Sequence, residues 1–294
     1  MSPRRLALLI LGVVAVSFSS ILIRWADAPA LAVAFYRNAM AAAILLPLAL
    51  LRHREEFRGL SRRGWAIALL SGGLLAAHFA LWIPSLSYTT VAASTVLVTT
   101  QPVWVALLGR RVGESASGAT LAGIALSVIG AAVISGGDLG LSGRNAFGDL
   151  LALLGAVAAA GYFLFGRTLR ARLSLLTYVG IVYATCAALL AGTMAVAGTP
   201  FVGFSPRVWG LFVLMAVIPQ FLGHTVFNYL LAHLRATVVA IAVTGEPVGA
   251  TILAFALFGE IPAWTAFAGG AVILAGIYVT VSAQTRRSAS VPIE

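Results

Sequence analysis

Apolar residues run along this chain in long stretches of similar length, separated by short polar turns. Ten stretches can be drawn: 5–25, 30–51, 64–86, 89–109, 116–135, 147–167, 173–196, 207–232, 236–258 and 262–283. Each holds about 20 residues, the number a helix needs to cross a hydrocarbon core of roughly 30 Å. The predicted fold is therefore all-α: a polytopic membrane protein with ten transmembrane helices. The longest connections are 52–63 and the glycine-rich 136–145, so no soluble domain of useful size fits between spans. Arg4 and Arg5 before the first stretch, with Ala26-Asp27-Ala28 after it, resemble a signal peptide and its cleavage site. Retention is the expectation, because cleavage would remove one member of the repeat described below.

Composition agrees with the pattern. Of 294 residues, 61% are hydrophobic and 10% charged, with a mean hydropathy of +1.01, against about 25% charge in soluble domains. Cys186 is the only cysteine, which excludes an intrachain disulfide framework. A net charge of +10 and a pI near 11 would suit nucleic acid binding. The positions argue otherwise. There is no lysine, and the nineteen basic residues are arginines lying mostly in the connections. With the N-terminus inside, fifteen arginines fall on the cytoplasmic side and three (Arg24, Arg144, Arg207) outside, with Arg37 within a span. This bias predicts that both termini are cytoplasmic. Subtracting Glu55, Glu56, Glu114 and Glu294 leaves +11 inside; Asp27, Asp138, Asp149 and Glu260 make the outside −1. Arg37 and Glu246 cancel within the membrane.

The chain also repeats itself. Gly113-Glu114, Gly123 and Gly130 recur with the same spacing as Gly259-Glu260, Gly269 and Gly276. Gln101-Pro102 and Glu246-Pro247 precede those glutamates, and Gly12 and Arg24 match Gly155 and Arg167. The expected organisation is a five-helix repeat over 1–135, an external glycine-rich linker over 136–146, a second repeat over 147–284 and a cytoplasmic tail over 285–294. Five crossings per half make the second repeat inverted, an arrangement that many secondary transporters use around a midplane site.

These proline-to-Gly-Glu segments, the glycine-spaced helices after them, and Arg37 in the second helix resemble the drug/metabolite transporter superfamily, in particular its ten-helix EamA-type exporters. The resemblance covers nearly the whole chain but specifies fold rather than cargo. It implies a cavity built mainly from helices one, three, four, six, eight and nine. Family members export amino acids, other metabolites or drugs. The aromatic-rich helices point to the amino-acid exporters, including the aromatic amino-acid branch. The first helix lacks the embedded carboxylate that small multidrug relatives use for proton exchange.

A polar group at the midplane is costly, so each one is a functional candidate. Glu246 is the only carboxylate placed deep in a span. Two roles stay open for it: holding a substrate amino group or a proton, or bonding a neighbouring helix beside Pro247. His78, Trp82 and Ser85 share one face of the third span, and Gln220, His224 and Asn228 form a stripe on the eighth. Thr95, Thr99, Gln101 and Trp104 on the fourth span and Tyr162 on the sixth complete a hydrogen-bonding, aromatic-rimmed set for a small amphipathic solute. The bland alternatives are interhelical hydrogen bonds and an interfacial aromatic belt. Arg37, about 10 Å below the outer end of its span, can reach the interface by snorkelling, where Asp27 would be a partner; anion binding is the alternative, and the resemblance leans towards a structural role. Glu114 and Glu260 read as capping or gate-stabilising residues. Pro47, Pro102, Pro219 and Pro247 read as helix interruptions, and Gly72-Gly73 and Gly269-Gly270 as close-packing sites.

An enzyme is disfavoured. Gly140-Leu141-Ser142-Gly143 matches the serine string of intramembrane proteases but lies in the external linker. There is no H-E-x-x-H metal site, and without lysine no P-loop, so no cofactor or metal is implied. The sequence points to an exporter of the bacterial inner membrane whose partners are a small-molecule substrate, the lipid bilayer and, if coupled, protons. Proton antiport and facilitated efflux both fit; a multidrug carrier and a non-transporting scaffold are the alternatives.

Overall fold

The computed structural model describes residues 1–89, 94, 97–113, 116–134, 143–259, 261–262 and 264–289, and these contain helices and turns without a strand. In chain order the helices are α1 (Pro3–Ala26), α2 (Ala30–Arg52), a short α3 (Arg54–Gly59), α4 (Arg62–Ser85), α5 (Gln101–Gly109) and α6 (Gly118–Ile134). There follow α7 (Gly143–Arg170), α8 (Leu175–Val196), α9 (Pro206–Leu230), α10 (Ala236–Val243), α11 (Glu246–Phe258) and α12 (Trp264–Ala289). Eight described helical segments are long and apolar enough to cross a membrane, with α10 and α11 together forming one of them; α6 is a shorter apolar helix. Of the expected fourth span, Ser94 and residues 97–98 are helical ahead of α5.

Boundaries move where local chemistry rules. α7 begins at Gly143, inside the stretch expected as linker, and α12 continues to Ala289, into the expected tail. Gly113 and Gly259 hold φ of 81° and 67°, a left-handed conformation that costs glycine little and terminates the helix before it. Glu114, Glu260, Asp138, Thr95, the string 140–142 and the end of the tail lie outside the described residues.

The four singled-out prolines behave differently. Pro47 sits inside an unbroken α2. Pro102 and Pro247 each occupy the first turn of a new helix, α5 and α11, after turns at Thr99-Thr100 and Thr244-Gly245. A proline has no N–H for the carbonyl four residues earlier and its ring crowds that carbonyl, so the helix restarts. Pro219 lies in a π-helical stretch, Ala216–Thr225, within α9.

The main packing pairs are α6 on α12, α4 on α7 and α8, α2 on α8 and α9, α1 on α9 and α11, α5 on α7, and α5 on α10. Glycines set the closest of these. A Cβ on Gly130 would lie 2.6 Å from the Gly269 carbonyl oxygen, and one on Gly276 would lie 2.6 Å from that of Gly123. Gly72 backs onto Thr185 in the same way, whereas Gly73 and Gly270 have ordinary room. Without a hydrophobic drive between helices in lipid, such backbone proximity is a principal source of association.

Candidate functional site

The two helix restarts face one cavity. It is lined by Val16 and Ser19 of α1, His78 and Trp82 of α4, 98–102, Ala159, Tyr162 and Phe163 of α7, His224 and Phe227 of α9, and Ala240, Val243, Thr244 and Glu246 of the α10–α11 span. Its interior measures about 40 Å³ of water-centre space, enough for roughly three waters at 10–15 Å³ each.

Seven of the nine residues expected to bind substrate share this wall: His78, Trp82, Thr99, Gln101, Tyr162, His224 and Glu246. His78 Nδ1 stands 3.0 Å from the Gly155 carbonyl, which can only accept, so Nδ1 carries the hydrogen and Nε2 remains an acceptor in the neutral ring. The imidazole stacks on Trp82 at 5.7 Å and 13°, and the edge of Phe79 meets His224 at 5.5 Å. Among the described residues, Trp82 Nε1, Gln101 Nε2 and His224 Nδ1 are buried without a hydrogen-bond partner. Leaving a buried polar group unpaired costs about 1–3 kcal/mol, so the Trp82 and Gln101 N–H groups call for an acceptor, while His224 Nδ1 donates or accepts according to its tautomer. Glu246, half-buried, is the carboxylate on the same wall.

Gln220 and Asn228 lie elsewhere. The widened π-helical turns rotate α9 so that the predicted stripe splits, a local distortion common at functional sites. Gln220 Oε1 accepts from Arg37 Nε at 3.0 Å, and its Nε2 donates to Asn38 Oδ1 at 3.1 Å. Asn228 Nδ2 donates to the Tyr162 hydroxyl at 2.6 Å and to Tyr183 at 3.3 Å, from behind the cavity wall. Ser85 bonds Ser94 and the Trp82 carbonyl, and Trp104 bonds Thr100, so neither lines the cavity.

Arg37 corrects the expectation most sharply. It does not snorkel: it is 1% exposed, held by Gln220 and by Ser19 Oγ at 3.0 Å, with its guanidinium 4.5 Å over the Phe79 ring. Among the described residues its Nη2 has no hydrogen-bond partner. Packing of α2 against α9 overrides the short path to water, because the hydrogen bonds and ring face supplied there replace solvent. Ser19, Phe163, Phe227, Ala240 and Thr244 were missed from sequence. Thr244 was recoverable, since it stands three residues before Pro247 as Thr99 does before Pro102.

Two discontinuous helices meeting at a polar cavity inside an apolar bundle form an arrangement seen in membrane carriers. Comparison with known proteins decides the family. The pattern of the EamA-like transporter family matches residues 4–136 and again 146–282. The chain belongs to that family. This EamA-like transporter is 29% identical over 261 residues to an uncharacterized transporter of Archaeoglobus fulgidus, covering 85% of this chain and 87% of that one. A crystal structure of a protein with 20% identity superposes with a TM-score of 0.79 over 97% of this chain and 99% of the other, which shows a shared fold. The EamA-like transporter is thus a multi-pass membrane protein that moves a small molecule across a bilayer.

Proposed function

We propose that this EamA-like transporter exports amino acids, aromatic ones favoured, by alternating access across the inner membrane, with both termini cytoplasmic. One observation carries the cargo reading: the Trp82 and Gln101 donors, and the His224 Nδ1 beside them, have no partner among the described residues and share a cavity with the Glu246 carboxylate. A zwitterion answers both needs, its carboxylate taking the donors and its ammonium taking Glu246. Trp82, Tyr162, Phe163 and Phe227 add ring surface for an aromatic side chain. At about 40 Å³ the cavity is too small for such a solute, so loading requires the halves to move apart.

The helix packing supports ten helices in two inverted five-helix repeats, 1–135 and 147–284, on either side of the linker. Gly130 meets Gly269 and Gly123 meets Gly276, so each glycine touches the counterpart of its neighbour. Trp82 stands twenty residues before Pro102, as Phe227 does before Pro247. Trp82 packs on Gly155, whose added Cβ would be 3.3 Å from the Trp82 Cβ; Phe227 packs on Gly12, whose added Cβ would be 2.5 Å from its ring. In the proposed orientation the first contact closes the outer side and the second the inner side. We assign Glu114 and Glu260 a capping or gate-stabilising role at the turn before the last helix of each repeat, with Pro102 and Pro247 as the flex points.

A proton and a substrate ammonium compete for the same carboxylate, so we assign coupling to Glu246. Efflux of labelled amino acids from proteoliposomes tests the reading. Saturable efflux of phenylalanine or tryptophan that rises with an opposing proton gradient is expected, and Glu246→Gln should lose the pH response along with most of the flux. No flux for any of the twenty amino acids would sink the cargo proposal, and an unchanged pH response in a working Glu246→Gln variant would remove the coupling role.

A further inference from the structure

A second hollow, away from the central cavity, opens at the arginine-rich end of the bundle. It is a groove of about 620 Å³ between the start of α4 and the end of α7, with α3 along its edge. Leu60, Ile67 and Leu169 form apolar lining, while Arg63 and Arg172 supply two cations. Both arginines are exposed, and neither side chain makes a hydrogen bond or ion pair with a described residue. Their neighbour Arg58 differs, since Glu55 holds it at 3.0 Å. Glu56 also lines the groove, turned towards the α8 start: Oε2 accepts the Ser174 N–H at 2.9 Å, and Oε1 stands 3.5 Å from His53 Nδ1, so the lining holds two guanidinium groups and one carboxylate.

The groove lies at the ends of membrane-spanning helices, where bilayer headgroups sit, and it joins an apolar lining to two unpaired guanidinium groups and a net positive charge. We propose that it binds the phosphodiester headgroup of an anionic phospholipid, with the start of an acyl chain along Ile67 and Leu169. Guanidinium forks match phosphate oxygens in pairs, which makes arginine the fitting residue here. A choline headgroup would bring its own cation against Arg63 and Arg172, so zwitterionic lipids fit less well. Basic pockets between helix ends recur as acidic-lipid sites for the same electrostatic reason. The site bridges α4 to the α7–α8 turn, where Arg170 Nε holds the Asn228 carbonyl at 3.0 Å and Nη1 reaches the Leu173 carbonyl. Bound lipid would brace that turn whichever solute the central cavity carries.

Native mass spectrometry of the full chain in detergent, with equimolar dioleoyl phosphatidylglycerol and dioleoyl phosphatidylcholine, tests this. One phosphatidylglycerol per chain is expected to remain bound, preferred at least tenfold over phosphatidylcholine. The pair Arg63→Gln and Arg172→Gln should bring that ratio close to one, while Arg110→Gln with Arg111→Gln, an equal charge loss at another turn, should keep it. Each single replacement should lower the ratio severalfold, which keeps the test usable if the pair fails to fold. Equal retention of both lipids by the wild type, or equal loss in both double variants, overturns the proposal. Displacement of the lipid by millimolar inorganic phosphate would identify a soluble-anion site and overturn it as well.

Discussion

Gln101 and Glu246 occupy corresponding places, each one residue before the proline that restarts its helix, yet one offers donors and the other a carboxylate. The two roles separate experimentally. Gln101→Leu should raise the KM for phenylalanine efflux about tenfold or more, since a hydrogen bond to a charged group contributes roughly 1.5–3 kcal/mol. Efflux of phenethylamine, which lacks the carboxylate, should be unchanged by the same substitution. Equal effects on both solutes would show that Gln101 shapes the cavity without recognising the carboxylate. Polarity in an apolar span was enough to mark seven wall residues in the sequence. It failed for Gln220 and Asn228, because a polar residue avoids lipid equally well by bonding a neighbouring helix. It failed for Arg37 because its partners Gln220 and Ser19 come from helices 183 and 18 residues away. Phe227 and Ala240 carry no polarity to mark them.

Elements were more legible than sites, for a physical reason. A span is fixed by its own composition, so eight described segments fall where long apolar runs predicted them. Breaks within spans depend on proline context: Pro102 and Pro247 start new helices, while Pro47 is carried inside one. The short α3 falls within the connection 52–63, where six residues without an apolar period give no sign of a helix. Its role is a clamp. Glu56 accepts the N–H of Ser174, the residue whose hydroxyl caps α8 by accepting from Thr177 N–H. Burial raises the Glu56 pKa, but the Ser174 N–H, the Thr177 and Ser174 hydroxyls and nearby His53 outweigh it, and the net direction is downward. A depressed folded-state pKa means that the clamp contributes fully above the unfolded carboxylate value of about 4.3 and is lost as pH falls through the folded value. Glu56→Ala should therefore cost about 1 kcal/mol in thermal or denaturant unfolding at pH 6. The gap from wild type should narrow progressively below pH 4. A gap that stays constant down to pH 3 would show that the carboxylate charge is irrelevant to the clamp.

At the scale of the whole molecule, contacts on both sides of the central cavity are closed together, with Trp82 against Gly155 and Phe227 against Gly12. A carrier that opened both sides at once would be a pore, so the proposed alternating access requires each contact to part in its turn. In the proposed orientation, the outer end of the α4–α7 pair offers a place to test this without touching the cavity wall. Gly148 packs on Thr89, and a Cβ built on Gly148 lies 2.9 Å from the Thr89 Cβ. Disulfides need a Cβ separation near 3.8 Å, and the added Cβ would also meet the Thr89 nitrogen at 2.8 Å and the Tyr88 Cβ at 2.9 Å, so the Thr89 segment must draw back by roughly 1 Å to admit the bond. Thr89→Cys with Gly148→Cys, in a Cys186→Ser background that removes the one native thiol, should form that bond on mild oxidation. Cys186 is fully buried, and serine in its place changes volume little. The reduced variant should transport, the oxidised one should fall to the background of empty liposomes, and reductant should restore flux. Undiminished flux with the cross-link demonstrably formed would mean that α4 and α7 move as one body at that end. The outer gate would then have to lie between other helices, with α1 and α11 next to be tested.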